Sequence, residues 1–389
     1  MSQPSVPPVL PTIGSPLKYG YRTKITPHFE AAPKSLLKIK QQDKTDNDEV
    51  KEQPDWLKIG FNLVGTRKVL DIEECPIATP VINEALAIER ARVIRYVESF
   101  LGMLSSYLSF HRSAYTFKRG ASLILRDSLD PSMLLPTNVP SEADVESYIS
   151  DALTKHVCVT SHKGKIREKV GGFLFEYPAS SFFQNNNSVL VPLTDYVKDA
   201  IFPPGVENSR PTHLVDTYCG SGLFAITLSP YFDTISGIEL SADSIRSAQE
   251  NVTLNRSLRA IPSYSNFISS PSMSTLSKEI PDITFRSGTA SDIFSSVSSF
   301  PRLKTVVVID PPRKGCDEKF IQQVVQFRPA VLVYVSCNVH TQARDIGMLL
   351  RMVENSGETR GKYQLESLRG FDLFPQTAHV ESVAVLRLV

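Results

Sequence analysis

Cys337 follows the apolar run Val331 to Ser336, and Glu381 comes forty-four residues later, behind Phe374-Pro375-Gln376-Thr377-Ala378-His379-Val380. A thiol and a carboxyl at the ends of two strands supply a nucleophile and a base. A lone strand-end cysteine is more often structural; one chemistry open to such a pair is methylation of a uracil ring, whose carbon 5 is too weak a nucleophile to accept a methyl group directly. A thiolate added at C6 turns the ring into an enolate whose C5 can attack a methyl sulfonium; a base then takes the C5 proton and the sulfur leaves. Cys337 is the expected nucleophile and Glu381 the expected base. His379 is the competing base and is read as an orienting or structural residue.

Three further segments could complete such a site. Asp310-Pro311-Pro312-Arg313-Lys314-Gly315 ends the run Thr305 to Ile309, at the edge where open α/β sheets hold ligands, and the two prolines fix where Asp310 points. Enzymes that methylate exocyclic amines often carry a polar residue, two prolines and an aromatic ring here. Arg313 takes the place of the ring, which points to a different chemistry. Val215-Asp216-Thr217-Tyr218-Cys219-Gly220-Ser221-Gly222 links a predicted strand to a predicted helix, and its glycines let the backbone approach a ligand. Glu239, at the end of the next strand, can accept both ribose hydroxyls of an adenosine-containing cofactor. Gly220-Ser221-Gly222-Leu223-Phe224-Ala225 also satisfies the dinucleotide pattern, so a nicotinamide or flavin enzyme stays open here. Asp216 tilts the choice toward S-adenosylmethionine, whose amino-acid tail is cationic, because an acid would repel a pyrophosphate; the plainer alternative is that Asp216 caps the turn. In Phe182-Phe183-Gln184-Asn185-Asn186, the rings could stack an unpaired base while Gln184 bonds the cofactor or the base edge. The alternative is that both rings are core at an interdomain seam.

Positioning these residues requires a sheet. Runs at His213 to Asp216, Ile235 to Glu239, Thr305 to Asp310 and Val331 to Ser336 alternate with helical periods, the pattern of a mostly parallel sheet with helices on both faces. Gln364 to Phe374 and Glu381 to Leu388 read as a closing antiparallel hairpin. Upstream, apolar spacing from Ala85 to Leu104 predicts an amphipathic helix with Glu89, Arg90 and Arg95 on its polar face. Gly120 to Arg126 reads as a short strand, and the proline-rich first forty residues, Gln41 to Gln53 and the Ser-rich segment Ser263 to Ser277 read as loops. Lys155 to Lys169 holds Lys163, Lys165 and Arg167 in a basic patch expected to meet phosphates, together with Arg22, Lys24, Lys118 and Arg119.

With 389 residues, 41% hydrophobic and 21% charged, the chain is long enough for two domains and too apolar for wholesale disorder. The expected division is an N-terminal and central RNA-binding domain over 1–178 and a catalytic domain over 179–389. Apolar runs are too short to span a bilayer and no signal segment is evident, so a soluble intracellular protein is expected. Five cysteines without paired spacing argue against a disulfide framework and against a metal site. A formal charge of +1 means that any RNA must be held by local patches.

Taken together, Phe183-Gln184, Asp216 to Gly222, Glu239, Asp310 to Gly315, Ser336-Cys337-Asn338 and Phe374 to Glu381 resemble the RNA (uracil-5)-methyltransferase family, most closely its eukaryotic, fungal-type tRNA branch. The likeness is strong over 180–389 and looser over 19–29 and 59–83. It implies an α/β class I S-adenosylmethionine-dependent methyltransferase fold, Rossmann-like, preceded by a smaller α+β domain. It also implies that Gln184, Tyr218, Glu239 and Asp310 contact S-adenosylmethionine, that Cys337 attacks and Glu381 accepts the proton. The implied substrate is the T-loop uridine 54 of tRNA, with no obligate protein partner. Many relatives begin with a small RNA-binding β-barrel and some carry an iron–sulfur cluster; neither is visible, so a truncated or naturally short chain is expected, and Cys75 alone cannot ligate a cluster. Ribosomal RNA as substrate, or a non-catalytic RNA-binding protein that keeps the pocket, are the alternative readings.

Overall fold

The computed structural model describes residues 7–31, 33, 53–104, 120–132, 153–205, 210–260, 279–355 and 361–389. Thr305–Ile309 and Val331–Ser336 are buried at every position, the burial expected of central parallel strands covered on both faces. They lie in an eight-stranded sheet. Its order runs Val9–Ile13, Tyr363–Phe371, Glu381–Leu388, Val331–Ser336, Thr305–Ile309, His213–Thr217, Thr234–Glu239, Asp282–Ser287. Only Glu381–Leu388 opposes the others, pairing antiparallel with both neighbours.

Side-chain alternation divides the core between two faces. Val306 and Val308 join the cluster formed with Leu193, Val197, Ile245 and Val252, on helices Leu190–Ile201 and Ala242–Arg259. Val307 and Ile309 join Phe320, Ile321, Val324 and Leu349, from helices Glu318–Phe327 and Val339–Asn355. The N-terminal part is α+β: helix Pro80–Leu104 with a four-stranded sheet around Ile59–Asn62 and a three-stranded sheet around Leu125–Leu129. No helix among the described residues is long and apolar enough to cross a membrane.

Several local expectations need correction. Residues 9–13 form a strand, parallel to Tyr363–Phe371, where a loop was expected. Pro11 is tolerated because this is the sheet's edge, where one ladder side needs no N–H, and its carbonyl accepts from Arg369 Nε. The same strand carries an N-terminal segment into the sheet of the C-terminal half. Phe173, Phe175 and Tyr177 likewise share one cluster with Leu223 and Ile245, so the core continues across the 178/179 boundary. Two buried asparagines one turn apart, Asn251 and Asn255, tie it there: their side-chain oxygens accept from Glu176 N and Leu174 N.

The predicted strand over 120–126 divides into Ala121–Ser122 and Leu125–Leu129, in different sheets. Arg90 leaves the polar face of its helix and is buried against Asp71 at 2.8 Å, because Asp71 also accepts from Ile59 N and needs a cation. The Asp282–Ser287 strand had no expectation; only one of its residues is buried, so its pattern is weak. Lys118, Arg119 and the Ser-rich segment lie outside the described residues, as do most of 41–53 and the side chains of Phe100, Leu101 and Leu104.

Candidate active site

The sheet order reverses between His213–Thr217 and Thr305–Ile309, and the crevice at such a switch point is where open α/β sheets bind ligands. Thr217 pairs with Ile309 and Ile309 with Tyr334, so the turn after Thr217, Asp310 and the end of Val331–Ser336 share one edge. Ser336 pairs with Ser382. Cys337 and Glu381 are therefore the next residues outward on two adjacent antiparallel strands. Gln342 Nε2 fixes this end of the ladder by donating to Tyr334 O at 2.8 Å and Ser382 O at 3.1 Å.

In the 216–222 turn, Tyr218, Gly220 and Gly222 all have left-handed backbones, with φ of 61°, 53° and 93°. A side chain at Gly222 would strike Ile226 at 2.9 Å, whereas the Cβ position of Gly220 has no atom within 4 Å and faces open space. Glu239 braces the turn, one oxygen accepting from Gly220 N at 3.3 Å and the other from Ser241 N at 3.0 Å. Asp216 is fully buried. One oxygen accepts from Ala225 N at 2.9 Å, so it does cap the helix, but the other has no partner among the described residues. Burial, then the charges of Asp310 and Glu239, push its carboxyl up to about 8.

Gln184 hydrogen-bonds Asp310, whose carboxyl is pushed up to about 7 by burial. The Gln184 segment is strapped in place: Thr23 N donates to Asn185 O at 2.9 Å and Asn186 Nδ2 to Leu373 O at 3.2 Å. Glu381 is 1% exposed, and neither carboxylate oxygen has a hydrogen-bond partner among the described residues. Its pKa is raised well above the ordinary value by burial and by Asp310, with Arg313 opposing. His379 is exposed and sits edge-on to Phe374.

Cys337 is partly exposed. Burial raises its thiol pKa, as do the charges of Glu381 and Asp310, while Arg313 opposes by charge and hydrogen bonding. Reaction of Cys337 with iodoacetamide is accordingly expected to keep accelerating above pH 9, the ordinary thiol value. Glu381→Gln should move that profile to lower pH and Arg313→Gln to higher pH; a profile unmoved by both would dissociate the thiol from these charges.

Arg313, expected among the RNA contacts, is exposed, and its guanidinium also acts on Cys337 by hydrogen bond and charge and on Glu381 by charge. Phe183 needs correction. It is 4% exposed and stacks on Tyr177 at 4.7 Å, so its ring belongs to the core, while the ring of Phe182 is 70% exposed. The basic patch shrinks for a similar reason. In strand Lys165–Val170, Arg167 points inward, 5% exposed, and meets Glu176 at 2.6 Å. Lys165 stays exposed but pairs with Glu176 at 2.8 Å, Lys155 pairs with Asp130, and exposed Lys163 has no ion pair among the described residues.

The family model described as tRNA (Uracil-5-)-methyltransferase matches residues 148–388. The tRNA (uracil(54)-C(5))-methyltransferase of Schizosaccharomyces pombe is 40% identical over 99% of this chain and 57% of that protein. Its Saccharomyces cerevisiae namesake is 35% identical over 99% of this chain and 55% of that protein. The chain thus spans little more than half the length of these curated relatives. Among solved structures, Pyrococcus abyssi tRNA (uracil-54, C5)-methyltransferase, in complex with S-adenosyl-L-homocysteine, superposes with a TM-score of 0.56 at 20% identity. That match covers 97% of this chain and 78% of that one, and it establishes the shared class I methyltransferase fold. The chain belongs to the tRNA (uracil-5-)-methyltransferase family.

Proposed function

We propose that this chain transfers a methyl group from S-adenosyl-L-methionine to C5 of uridine 54 in the T-loop of tRNA, giving 5-methyluridine. The observation that carries the reading is the placement of Cys337 and Glu381 one residue beyond the Ser336–Ser382 pair, a nucleophile near a buried carboxyl that has no hydrogen-bond partner among the described residues. The names of the yeast relatives supply the uridine and its position.

The residues fit the cofactor. Asp216 has an unpartnered buried oxygen, Gly220 opens onto free space, and Asp216, Asp310 and Glu239 crowd negative charge that a cationic ligand would relieve. Gln184, Asp216, Tyr218, Gly220, Gly222, Glu239 and Asp310 would hold S-adenosylmethionine, which supplies an electrophilic methyl group. Positive charge brought among these acids also removes part of what keeps the Cys337 thiol protonated.

Cys337, partly exposed, gives its proton to solvent and adds to C6 of the uracil, moving the ring's electrons to C5, which takes the methyl group. Glu381, ionised at that stage, removes the C5 proton. The C5–C6 double bond re-forms as the C6–S bond breaks and Cys337 leaves as thiolate. Arg313 stabilises both the thiolate and the ionised carboxyl. Residues 179–389 furnish this chemistry, with Phe182 stacked on an unpaired base, and 1–178 present the RNA with Lys163 and Lys165 at phosphates.

The test is methyl transfer from labelled S-adenosylmethionine to tRNA and, in parallel, to ribosomal RNA, followed by nuclease digestion. Label in 5-methyluridine, lost when uridine 54 is replaced by cytidine, is the expected result. Label confined to ribosomal RNA would replace the substrate, and no label in any uridine would overturn the reading.

Charge crowding also makes a stability prediction. Asp216 and Asp310 are raised above their unfolded value of 3.8, so the folded state holds protons that the unfolded state releases. Stability of the ligand-free protein should fall as pH climbs toward about 7 and about 8, then level off, and Asp216→Asn should flatten the decline. Binding of S-adenosylmethionine should release protons at pH 7, and the rise in Tm that it causes should grow from pH 6 to 8. Thermal scans across this range and calorimetry in buffers of different ionisation heat check both.

A further inference from the structure

The loop 310–316, which carries both Asp310 and Arg313, is held from below by one buried carboxylate. Asp345, on helix Val339–Asn355, is 0% exposed. Its Oδ2 accepts from the Cys316 N–H at 2.7 Å and from the Tyr334 hydroxyl at 2.7 Å. Its Oδ1 accepts from Arg344 Nε at 2.8 Å. Arg344 then donates to the Lys314 carbonyl at 2.8 Å and the Cys316 carbonyl at 3.4 Å. Gly315 lies so close that an added Cβ would stand 2.5 Å from Asp345 Oδ2. From the other side of the loop, Asn338 Nδ2 donates to the Arg313 carbonyl at 3.1 Å, so the residue after Cys337 holds the residue whose guanidinium faces Cys337.

We propose that Asp345 is a positioning residue for the reaction, fixing the backbone of loop 310–316 and thereby setting Arg313 beside Cys337 and Glu381. A buried carboxylate between two loop residues and a strand tyrosine has no part in proton transfer; its Oδ2 is already shared by two donors. The loop has no regular structure of its own, and positive φ at Gly315 lets it approach this closely. Cys316 also hydrogen-bonds Tyr218, so the same anchor reaches the cofactor turn. The kinetic part of this proposal rests on the methyl-transfer reading above; the thiol part does not.

The test uses the full chain with Asp345→Asn and Arg344→Gln, the second at a side chain half-exposed and therefore safe for folding. Iodoacetamide modification of Cys337, followed by peptide mass spectrometry across pH, should shift to higher pH in both variants, because a loosened Arg313 no longer favours the thiolate. Methyl transfer should lose up to about 100-fold in kcat with little change in KM, the mark of misplaced groups. Asp345→Ala should shift further than Asp345→Asn, which keeps an acceptor for one of the two Oδ2 donors. Should the Asp345 variants not fold, Arg344→Gln decides alone. An unmoved Cys337 profile with unchanged kcat in folded variants would overturn the proposal. A shifted profile in a chain whose native form methylates no uridine would uphold the anchor and count against the methyl-transfer reading.

Discussion

Cys337→Ala is expected to lower methyl transfer to uridine by roughly 10⁴-fold or more, since without the sulfur C5 has no route to nucleophilic character. Binding of S-adenosylhomocysteine should persist, because the turn 216–222, Glu239 and Asp310 are held by their own strands and bonds. Stability should change little, as the residue is partly exposed and its neighbours Ser336 and Asn338 keep their mutual hydrogen bonds. Cys337→Ser should behave almost as badly as alanine, because a serine hydroxyl is far less ionised than a thiol at neutral pH. Measured as a single-turnover rate with labelled cofactor, a loss below about tenfold in Cys337→Ala would remove the covalent step.

Glu381→Gln carries the second large effect, with a different signature. The amide fills the same volume but cannot take a proton, so turnover should fall by about 10²–10⁴-fold. Addition and methyl transfer precede the blocked step. The variant should therefore accumulate a methylated, Cys337-linked adduct with ordinary uridine, stable to denaturant and visible as a shifted band on a gel. Glu381 also raises the Cys337 thiol pKa, so its neutral replacement favours addition and sharpens the contrast. Stability adds an independent readout. Glu381 has a raised folded-state pKa, so its stabilising contribution is complete at acid pH and lost as the group ionises; Glu381→Gln should be the more stable protein on the alkaline side. A variant that turns over normally would reassign the base.

What the sequence disclosed follows from which interactions are local. Strands such as Thr305–Ile309 and Val331–Ser336 declare themselves because both faces are buried and each residue must be apolar. Strand-end residues are then placed by topology alone, which is why Asp216, Glu239, Asp310 and Cys337 could be assigned to one edge. Glu381 joined them because the closing hairpin brings its strand against Val331–Ser336. The misplacements came from long-range partners. Nothing near Phe183 in the chain says that its ring, and not that of Phe182, stacks on Tyr177. Arg167 reads as one of five cations until Glu176, nine residues on, is seen opposite it in the ladder. Strand Val9–Ile13 was hidden because prolines mark loops everywhere except at a sheet's edge. Asp345 was invisible for the same reason: helical spacing shows that its face is buried, but not that Cys316 and Tyr334 lie beneath it.

Arg313 shows how the two levels meet. Its position after Asp310-Pro311-Pro312 could be read as departing from the aromatic pattern of amine methylation, and its contacts explain why a cation is useful there. A reaction that creates a thiolate and ionises a carboxyl needs positive charge beside both, and Arg313 opposes the raised pKa of each.

The covalent step has one most direct measurement. A T-loop RNA bearing 5-fluorouridine at position 54 blocks the reaction after methyl transfer, because fluorine cannot leave as a proton. With S-adenosylmethionine, the native chain should form a denaturant-resistant complex with this RNA, and peptide mass spectrometry should locate the methylated nucleotide on Cys337. The same complex formed by Cys337→Ala, or none formed by a native chain that methylates ordinary uridine, would contradict the account.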